Sequence, residues 1–264
     1  MKGFLQEYGI IMVVVAVVLG MLAFGKTGYA KSIQDAILGS ADHIVETGEN
    51  ITKKEVHVTA GDMLDIEGTK YVVLEEQEKG QALVMTVNGI GMGSKRFQSG
   101  DRSDGQNKNT YEGSEIDTYL ENDWYNNLSS TMKAAIQSTN IKQASYKQTA
   151  YGTHDDYEKQ ETGYNGQVYN TISRHAFLPS LDEIGKLVDL KNHDKAKAFL
   201  NGTYIWTRDS LNNNNHEAIM LDAEYGSFYD YYVYAGFDKL RPRPAFVIDL
   251  SQVDYKVAGH TDYK

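Results

Sequence analysis

An uninterrupted apolar run near the amino terminus divides the chain more sharply than any other feature. Residues 10–24, IIMVVVAVVLGMLAF, contain no charged or strongly polar side chain. Tyr8 and Gly25 extend the run to about the minimum length of a membrane-spanning helix. Lys2 precedes it and favours a cytoplasmic amino terminus. A secretory signal peptide is the alternative interpretation, because GYA, ending at Ala30, fits a cleavage site. Either interpretation predicts an exported domain after an anchor or signal segment at residues 1–25.

Residues 26–50 predict an amphipathic stem helix and a linker. Ile33, Ile37 and Ile44 recur at helical spacing among polar side chains. The start of the chain, GFLQEYGIIMVVV, resembles Flp-type pilins, which carry a glycine, a spacer, Glu-Tyr-Gly and an apolar run. This resemblance implies processing at Gly3 and pilus subunits as partners, although the spacer here has three residues where that family has four. The alternative is an ordinary signal anchor in which EYG occurs by chance.

The composition excludes several classes of site. The 264 residues include no cysteine, which excludes disulfides, thiol catalysis and thiolate metal ligands. A net charge of −10 without a basic stripe argues against nucleic acid as a partner. We therefore expect an exported domain stabilised by its hydrophobic core, with no cofactor and no metal.

Residues 56–255 predict an α+β domain, with most of the strands at its two ends. The short alternating runs VHV, YVVLEE and ALVMTV predict a β-meander. Four carboxy-terminal strands are predicted in TYIWTRDS, EAIMLDA, YYVYAGF and PAFVIDL. The polar segments 100–113 and 147–168 predict long loops.

Helices are predicted between these groups of strands. Residues 114–128 and 129–137 predict two helices, the first with Leu120, Trp124 and Leu128 on one face. Residues 171–190 predict a strand and then a helix. Ser180 is suited to be the N-cap of that helix, with Glu183 completing a capping box. NHDKAKAFLNG predicts one more helix, which Gly202 closes.

Four motifs in a fixed order carry a resemblance to a known family. They are GSEIDTYLENDWY, RHAFLPSLDE, YIWTRDS and RPRPAFVIDL. The series resembles a large uncharacterised family of bacterial and phage surface domains with WLRS and VRPAF motifs, over about residues 60–252. That family is similar to the C-type-lectin-like fold of formylglycine-generating enzymes and of the variable proteins of diversity-generating retroelements. The resemblance implies a C-type-lectin-like exported domain.

The residues argue against two of the activities that this resemblance implies and leave one. Formylglycine chemistry needs cysteine, which the chain lacks. Calcium-dependent sugar binding uses a Glu-Pro-Asn or Gln-Pro-Asp triplet, and none of the three prolines lies in one. The remaining activity is ligand display, and by position the displayed segment corresponds to residues 206–240. Its candidate ligand-binding residues are Trp206, Arg208, Asn212, Asn213, Asn214, Asn215, Asp222, Glu224, Tyr225, Ser227, Tyr229, Asp230, Tyr231, Tyr232 and Tyr234.

The chemistry of this segment suits recognition. Tyrosine offers a stiff, amphipathic contact surface, while Ser, Gly and Asn adapt their hydrogen bonds. Tyr and Asn codons also interconvert at an adenine position, as adenine-targeted diversification would leave them. The expected ligand is an extracellular protein or carbohydrate. The alternative is that Tyr231, Val233 and Ala235 face the core and the aromatic residues serve the scaffold alone.

The remaining motifs favour a structural role over a catalytic or metal-binding one. Gly89, Gly91 and Gly93 lack the spacing of a phosphate loop, and His154 beside two aspartates reads as a polar turn. We expect His175 to make structural hydrogen bonds, and Arg208 and Asp209 to pair with Arg241 or Arg243. We predict no catalysis. Two alternative functions remain: a structural minor pilin or envelope-assembly subunit, and a hydrolase if His154 or His175 lies against a carboxylate in a cleft.

Overall fold

The computed structural model describes residues 57–90, 96–147, 163–211, 216–234 and 240–264. At residues 79, 145–147, 163–170, 211 and 229–232 the description covers the backbone alone. The predicted anchor, stem and processing sites, Gly3 and Ala30 included, lie outside these ranges. Within the ranges, no helix combines the length and apolar character needed to cross a membrane.

The first sheet has six strands in the order β11-β1-β2-β3-β10-β4, and every neighbouring pair is antiparallel. The first three strands form a meander, of which β2 and β3 were predicted, and the last strand returns to pair with the first. Its strands are β1 (Asp62–Ile66), β2 (Thr69–Glu76), β3 (Gln81–Thr86), β4 (Ile136–Gln137), β10 (Ala245–Asp249) and β11 (Lys256–His260).

Both faces of this first sheet are buried. Val72, Leu74 and Val247 point to the larger hydrophobic cluster. Val73 and Phe246 point to a second cluster on the other face. Because β2, β3 and β10 are covered on both sides, they are nearly continuous apolar runs, which makes them easy to recognise in the sequence.

The second sheet has five strands in the order β6-β5-β7-β8-β9. Its neighbouring pairs are antiparallel except for the short parallel pairing of β5 with β7. The sheet packs its apolar residues into the larger cluster and ends at β9. Its strands are β5 (Thr139–Lys147), β6 (Gly163–Arg174), β7 (Ile205–Leu211), β8 (Glu217–Asp222) and β9 (Ser227–Tyr232).

Four short helices connect the sheets. They are α1 (Glu115–Thr118), α2 (Ser130–Ala135), α3 (Leu181–Leu187) and α4 (His193–Leu200). The capping box predicted for α3 is confirmed, because Ser180 accepts from the Glu183 N–H and the Glu183 carboxylate accepts from the Ser180 N–H. The α4 helix ends at Asn201 in the left-handed conformation, followed by Gly202 at a φ of +73°.

The helix predicted at residues 114–128 is irregular. After α1 the chain forms a π-helical turn at Tyr119–Trp124 and a 3₁₀ turn at Tyr125–Asn127. A π-helical turn closes i to i+5 hydrogen bonds and so changes the angular spacing of side chains. Leu120 therefore lies in the larger cluster while Leu128 packs against the second one, and the expectation of a single apolar face is wrong.

The α+β class is confirmed, but the strand positions differ in part. The VHV run is wrong as a strand, because His57 and Val58 precede β1 without strand structure. The strands β1, β5 and β11 were not expected. The strand β5 is mostly polar, β11 is exposed, and β1 is a short run interrupted by Asp65, so long-range pairing determines all three. Residues 101–113 form the predicted long loop, whereas β6 begins at Gly163, inside the second predicted loop.

Candidate binding surface

The tyrosine-rich segment forms the edge strand β9. Its backbone pairs with β8 in a regular register from Asp222 opposite Ser227 to Glu217 opposite Tyr232. Both faces of β8 are fully covered, because all six of its side chains are buried. The segment thus lies at the margin of a sheet whose interior strands are enclosed.

The turn between β8 and β9 is fixed by a carboxylate and a glycine. Asp222 is buried, and its Oδ1 accepts from the backbone N–H groups of Glu224 at 2.6 Å and Tyr225 at 3.0 Å. Gly226 has a φ of +65°, and a Cβ there would lie 2.1 Å from the backbone oxygen of His193. The turn therefore needs glycine both for its conformation and for its close contact with the start of α4.

Trp206 and Arg208 lie inside the domain on β7, which is two strands from β9 in the same sheet. Trp206 is 0% exposed and makes an edge contact with Phe97 at 5.8 Å between ring centroids. The Arg208 guanidinium donates to both oxygens of Glu183, at 2.6 and 2.7 Å, and to the backbone oxygens of Leu178 and Lys142. Their side chains do not reach the surface in this structure, so we assign them a supporting role.

We expected Arg208 and Asp209 to pair with Arg241 or Arg243. The described contacts of Asp209 and Arg243 show that this expectation is wrong for these two residues. Asp209 accepts from the Leu181 N–H at 2.7 Å. Arg243 donates to the backbone oxygens of Thr86 and Phe199. The sequence offered one indication of the true partner of Arg208. Glu183, which was predicted to complete the capping box of α3, also binds Arg208.

Burial shifts the proton affinities of these interior charges. It raises the pKa of Asp209 to about 7, although the nearby Arg208 guanidinium acts in the opposite direction. The Asp209 Oδ1 atom has no hydrogen-bond partner in the described chain. Burial also lowers the pKa of Arg243 to about 9, because the guanidinium is enclosed. The interior of the domain thus contains costly buried ionisable groups.

Three of the candidate residues reach solvent in the described chain. Glu224 is exposed, Tyr225 is half-buried, and Tyr234 is 44% exposed. Tyr204 donates its hydroxyl to Glu224 at 3.2 Å, and burial together with the Asp222 and Glu224 carboxylates raises the pKa of Tyr204 to about 12.

The remaining candidates divide between the interior and residues whose side chains are not described. Ser227 is buried, and its hydroxyl finds no partner in the described chain. Residues 212–215, the four consecutive asparagines, lie outside the described ranges. For Tyr229, Asp230, Tyr231 and Tyr232 the structure gives the strand backbone and its register, so their role in binding stays a prediction.

An acidic cleft borders the end of β9. Its volume is about 490 Å³, and its lining includes Asp101, Glu115 and Asp123. Gln98 also lines it, and the Gln98 N–H donates to the backbone oxygen of Val233, one residue beyond β9. With Asp104 the cleft has four carboxylates against the single guanidinium of Arg102, so its lining is predominantly acidic.

A histidine and a carboxylate meet at a second place. His175 Nδ1 lies 2.7 Å from Glu121 Oε1, and Glu121 Oε2 accepts from the His175 and Ala176 N–H groups. The Tyr125 ring stacks on His175 at 4.5 Å. The sequence analysis missed Glu121, whose place in the π-helical turn no spacing rule indicated.

This second cluster has the contacts of a structural brace. Beside it, Arg174 binds Asp117 through two hydrogen bonds of 2.8 and 2.7 Å. Both pairs connect the helical segment after residue 114 to the end of β6. Among the described residues, no hydroxyl hydrogen-bonds His175, and no cluster of three His, Asp or Glu residues has the arrangement of a metal site.

Two sheets joined by short capped helices define an α+β domain with a tyrosine-rich edge strand. The sequence of residues 79–250 matches the family described as Domain of unknown function (DUF6273), and the chain belongs to that family. No curated protein and no solved structure matches the chain.

Proposed function

We propose that this protein is a cell-surface ligand-binding protein whose binding face is centred on β9. The observation that carries the proposal is the position of β9 at the edge of the second sheet, with four tyrosines within residues 229–234. A scaffold role for those tyrosines would suit an inner strand. An edge strand leaves one side of its backbone accessible to a partner, and tyrosines in it would offer that partner a large contact surface.

Buried contacts in the same sheet as β9 support a rigid binding face. Glu183 holds Arg208 of β7, Asp222 organises the turn before β9, and Gly226 admits the contact of that turn with α4. A surface held in one conformation loses less entropy on binding. Buried charged groups are expensive to maintain, and holding a surface in place gives them a physical purpose.

The wider setting belongs to the same proposal. We infer from the motif resemblance that the scaffold is C-type-lectin-like and related to diversified retroelement proteins, with residues 206–240 as the varied segment. The apolar amino-terminal run would tether the domain to the membrane, with the domain outside the cell. The ligand would be an extracellular protein or carbohydrate.

The test is a binding screen of the purified full chain in detergent against a glycan array and a displayed library of random peptides. Ligands that it identifies are then offered to Tyr229→Ala/Tyr231→Ala. We expect this variant to lose at least about tenfold in affinity, with a melting temperature within a few degrees of the wild type. The matched control Tyr255→Ala, on a half-buried tyrosine beyond β10, should keep the affinity.

Two results would contradict the proposal. If every ligand that is found binds the double variant as well as the wild type, the face is elsewhere. If the double variant instead unfolds many degrees lower, the rings belong to the core and the scaffold interpretation holds.

A further inference from the structure

The four sheet edges of the domain differ in how they are protected against strand pairing. An unprotected edge is a template for another chain, and proteins block it with short strands, bulges, lysine, proline or a covering segment. The edge strand β4 has only two residues. The edge strand β11 pairs with β1 through an irregular register and begins with Lys256. The edge strand β6 has two irregularities against β5.

At the fourth edge, β9, the described part of the chain shows none of these protections. Its register against β8 runs without a shift over six residue pairs. Its sequence, SFYDYY, contains no lysine, proline or glycine and is rich in the aromatic residues that favour strands. In the described part of the chain, β8 is the only strand that pairs with it.

The hydrogen-bond alternation identifies which backbone groups face outward. The Val233 N–H donates to the backbone oxygen of His216, which continues the pairing with β8. Antiparallel pairing uses alternate residues, so Tyr229 and Tyr231 direct their backbone groups to β8. Phe228, Asp230 and Tyr232 therefore direct theirs to the open side. Three such residues can pair with an added strand of about five to six residues.

The charge of this region indicates the chemistry of the partner. Residues 217–234 contain four acids, Glu217, Asp222, Glu224 and Asp230, and no lysine, arginine or histidine. Glu217 and Asp222 are buried, so Glu224 and Asp230 are the acids of this segment that are left to attract a partner. The cleft joined to the strand end through Gln98 adds four carboxylates against one guanidinium, that of Arg102. A second copy of this chain would bring another net charge of −10 to the same place and be repelled. A basic partner would be attracted.

We propose that β9 binds an extended, lysine- or arginine-bearing polypeptide segment of a partner protein by strand addition at its open edge. This inference rests on the proposed function and specifies its binding mode. The main-chain pairing supplies affinity for an extended segment, and the acidic surroundings select a basic one.

The experiment uses the full chain and the peptides selected from the random displayed library. Amide hydrogen exchange is measured with and without each selected peptide. We expect slow exchange at Tyr229 and Tyr231 in the free protein, with the amides of Phe228, Asp230 and Tyr232 exchanging fast and becoming protected on binding. The selected peptides should be enriched in lysine and arginine, and their affinity should fall as salt is raised.

Two chemical controls address the backbone directly. Asp230→Pro removes one outward N–H and should weaken binding about tenfold or more, while Asp230→Asn keeps the backbone and should weaken binding of basic peptides only a few-fold. N-methylation of alternate amides in the peptide tests the same bonds if Asp230→Pro fails to fold. It should abolish binding for one set of alternate amides and not for the other.

The outcomes separate the two proposals. Some peptides could depend on the Tyr229 and Tyr231 side chains, yet leave the outward amides unprotected and tolerate N-methylation. Such peptides would overturn the proposal of strand addition and leave the proposed binding face intact. Outward amides already protected in the free protein would also overturn it. Both proposals would be overturned if every ligand binds away from residues 206–240. They would also be overturned if neither the peptide library nor the glycan array yields a binder.

Discussion

Buried ionisable side chains are costly to the domain, and Asp209 is one of them. Asp209 is fully enclosed, accepts one backbone hydrogen bond, and its other oxygen finds no partner in the described chain. Its neighbours with charge are Arg208 on β7 and Asp182 and Glu183 on α3, and two of these three are themselves acids. Burial therefore dominates and favours the neutral carboxylic acid.

We expect Asp209 to make stability depend on pH. Its pKa is about 7 in the folded chain and near the ordinary value of 3.8 when unfolded, so the folded state binds the proton more tightly. The associated stability is complete below about pH 4 and is lost as the pH rises through 7. Asp209→Asn should remove on the order of 1–4 kcal/mol of this pH dependence. Urea unfolding between pH 5 and pH 8.5 measures it.

The control for this prediction is Asp194→Asn, which changes an exposed acid on α4. It should leave the pH dependence of the unfolding free energy in place. Equal slopes for wild type and Asp209→Asn would show that Asp209 is ionised throughout this range.

At the scale of the element, the β8–β9 hairpin is defined by its contact with α4. The Asp222 carboxylate organises the turn from inside, and the glycine at its end admits the backbone of His193. Neither interaction depends on the tyrosines that follow. The hairpin can therefore keep its shape while the sequence of β9 varies.

Two glycine substitutions separate backbone strain from this contact. Gly226 and Gly202 both have a positive φ, but no atom lies within 4 Å of a Cβ built on Gly202. Gly202→Ala should cost about 1 kcal/mol of unfolding free energy through strain alone. Gly226→Ala should cost about 1–3 kcal/mol more, because the α4 backbone must move. Denaturant titration compares them, and equal costs would show that the hairpin and α4 separate freely.

The elements also show what sequence patterns can and cannot predict. The helix α3 was predictable because its capping box lies within four residues, and β2, β3 and β10 because they are apolar throughout. The strand β5 was not predictable, because the polar stretch Thr139–Lys147 becomes a strand only through pairing with β6 and β7. Arg208 and Glu183 lie 25 residues apart, and no local rule joins them. The edge position of β9 likewise follows only from the strand order.

At the scale of the molecule, the family match covers less than the folded domain. It ends at residue 250, and β11 lies beyond it. After β11, Thr261 donates to the Gly61 backbone oxygen, and the Tyr263 ring packs on Phe199 at 5.5 Å. The carboxy-terminal segment thus covers the edge of β1 and contacts α4.

Removal of residues 256–264 should destabilise the domain and expose β1 as a new edge. We expect a loss of about 2 kcal/mol or more in unfolding free energy, together with concentration-dependent association. Calorimetry and light scattering measure the two effects. Deletion of Lys264 alone, which removes its contacts with the Gly185 backbone oxygen and with Asp262, is the matched control. An unchanged melting temperature for the longer deletion would show that β11 is dispensable.

The pairing of β1 with β11 also determines how the domain bears mechanical load. Asp62 lies opposite His260, so the start of the first strand is beside the end of the last one. Tension applied between the two ends of the domain would open this pair from one end, one hydrogen-bonded step at a time, and would meet little resistance. Tension between the amino-terminal end and a ligand held at β9 would bypass β11, leaving β1 clamped between its two neighbours. We therefore expect the same fold to resist tension less when it is stretched by its two ends than when it is pulled through β9.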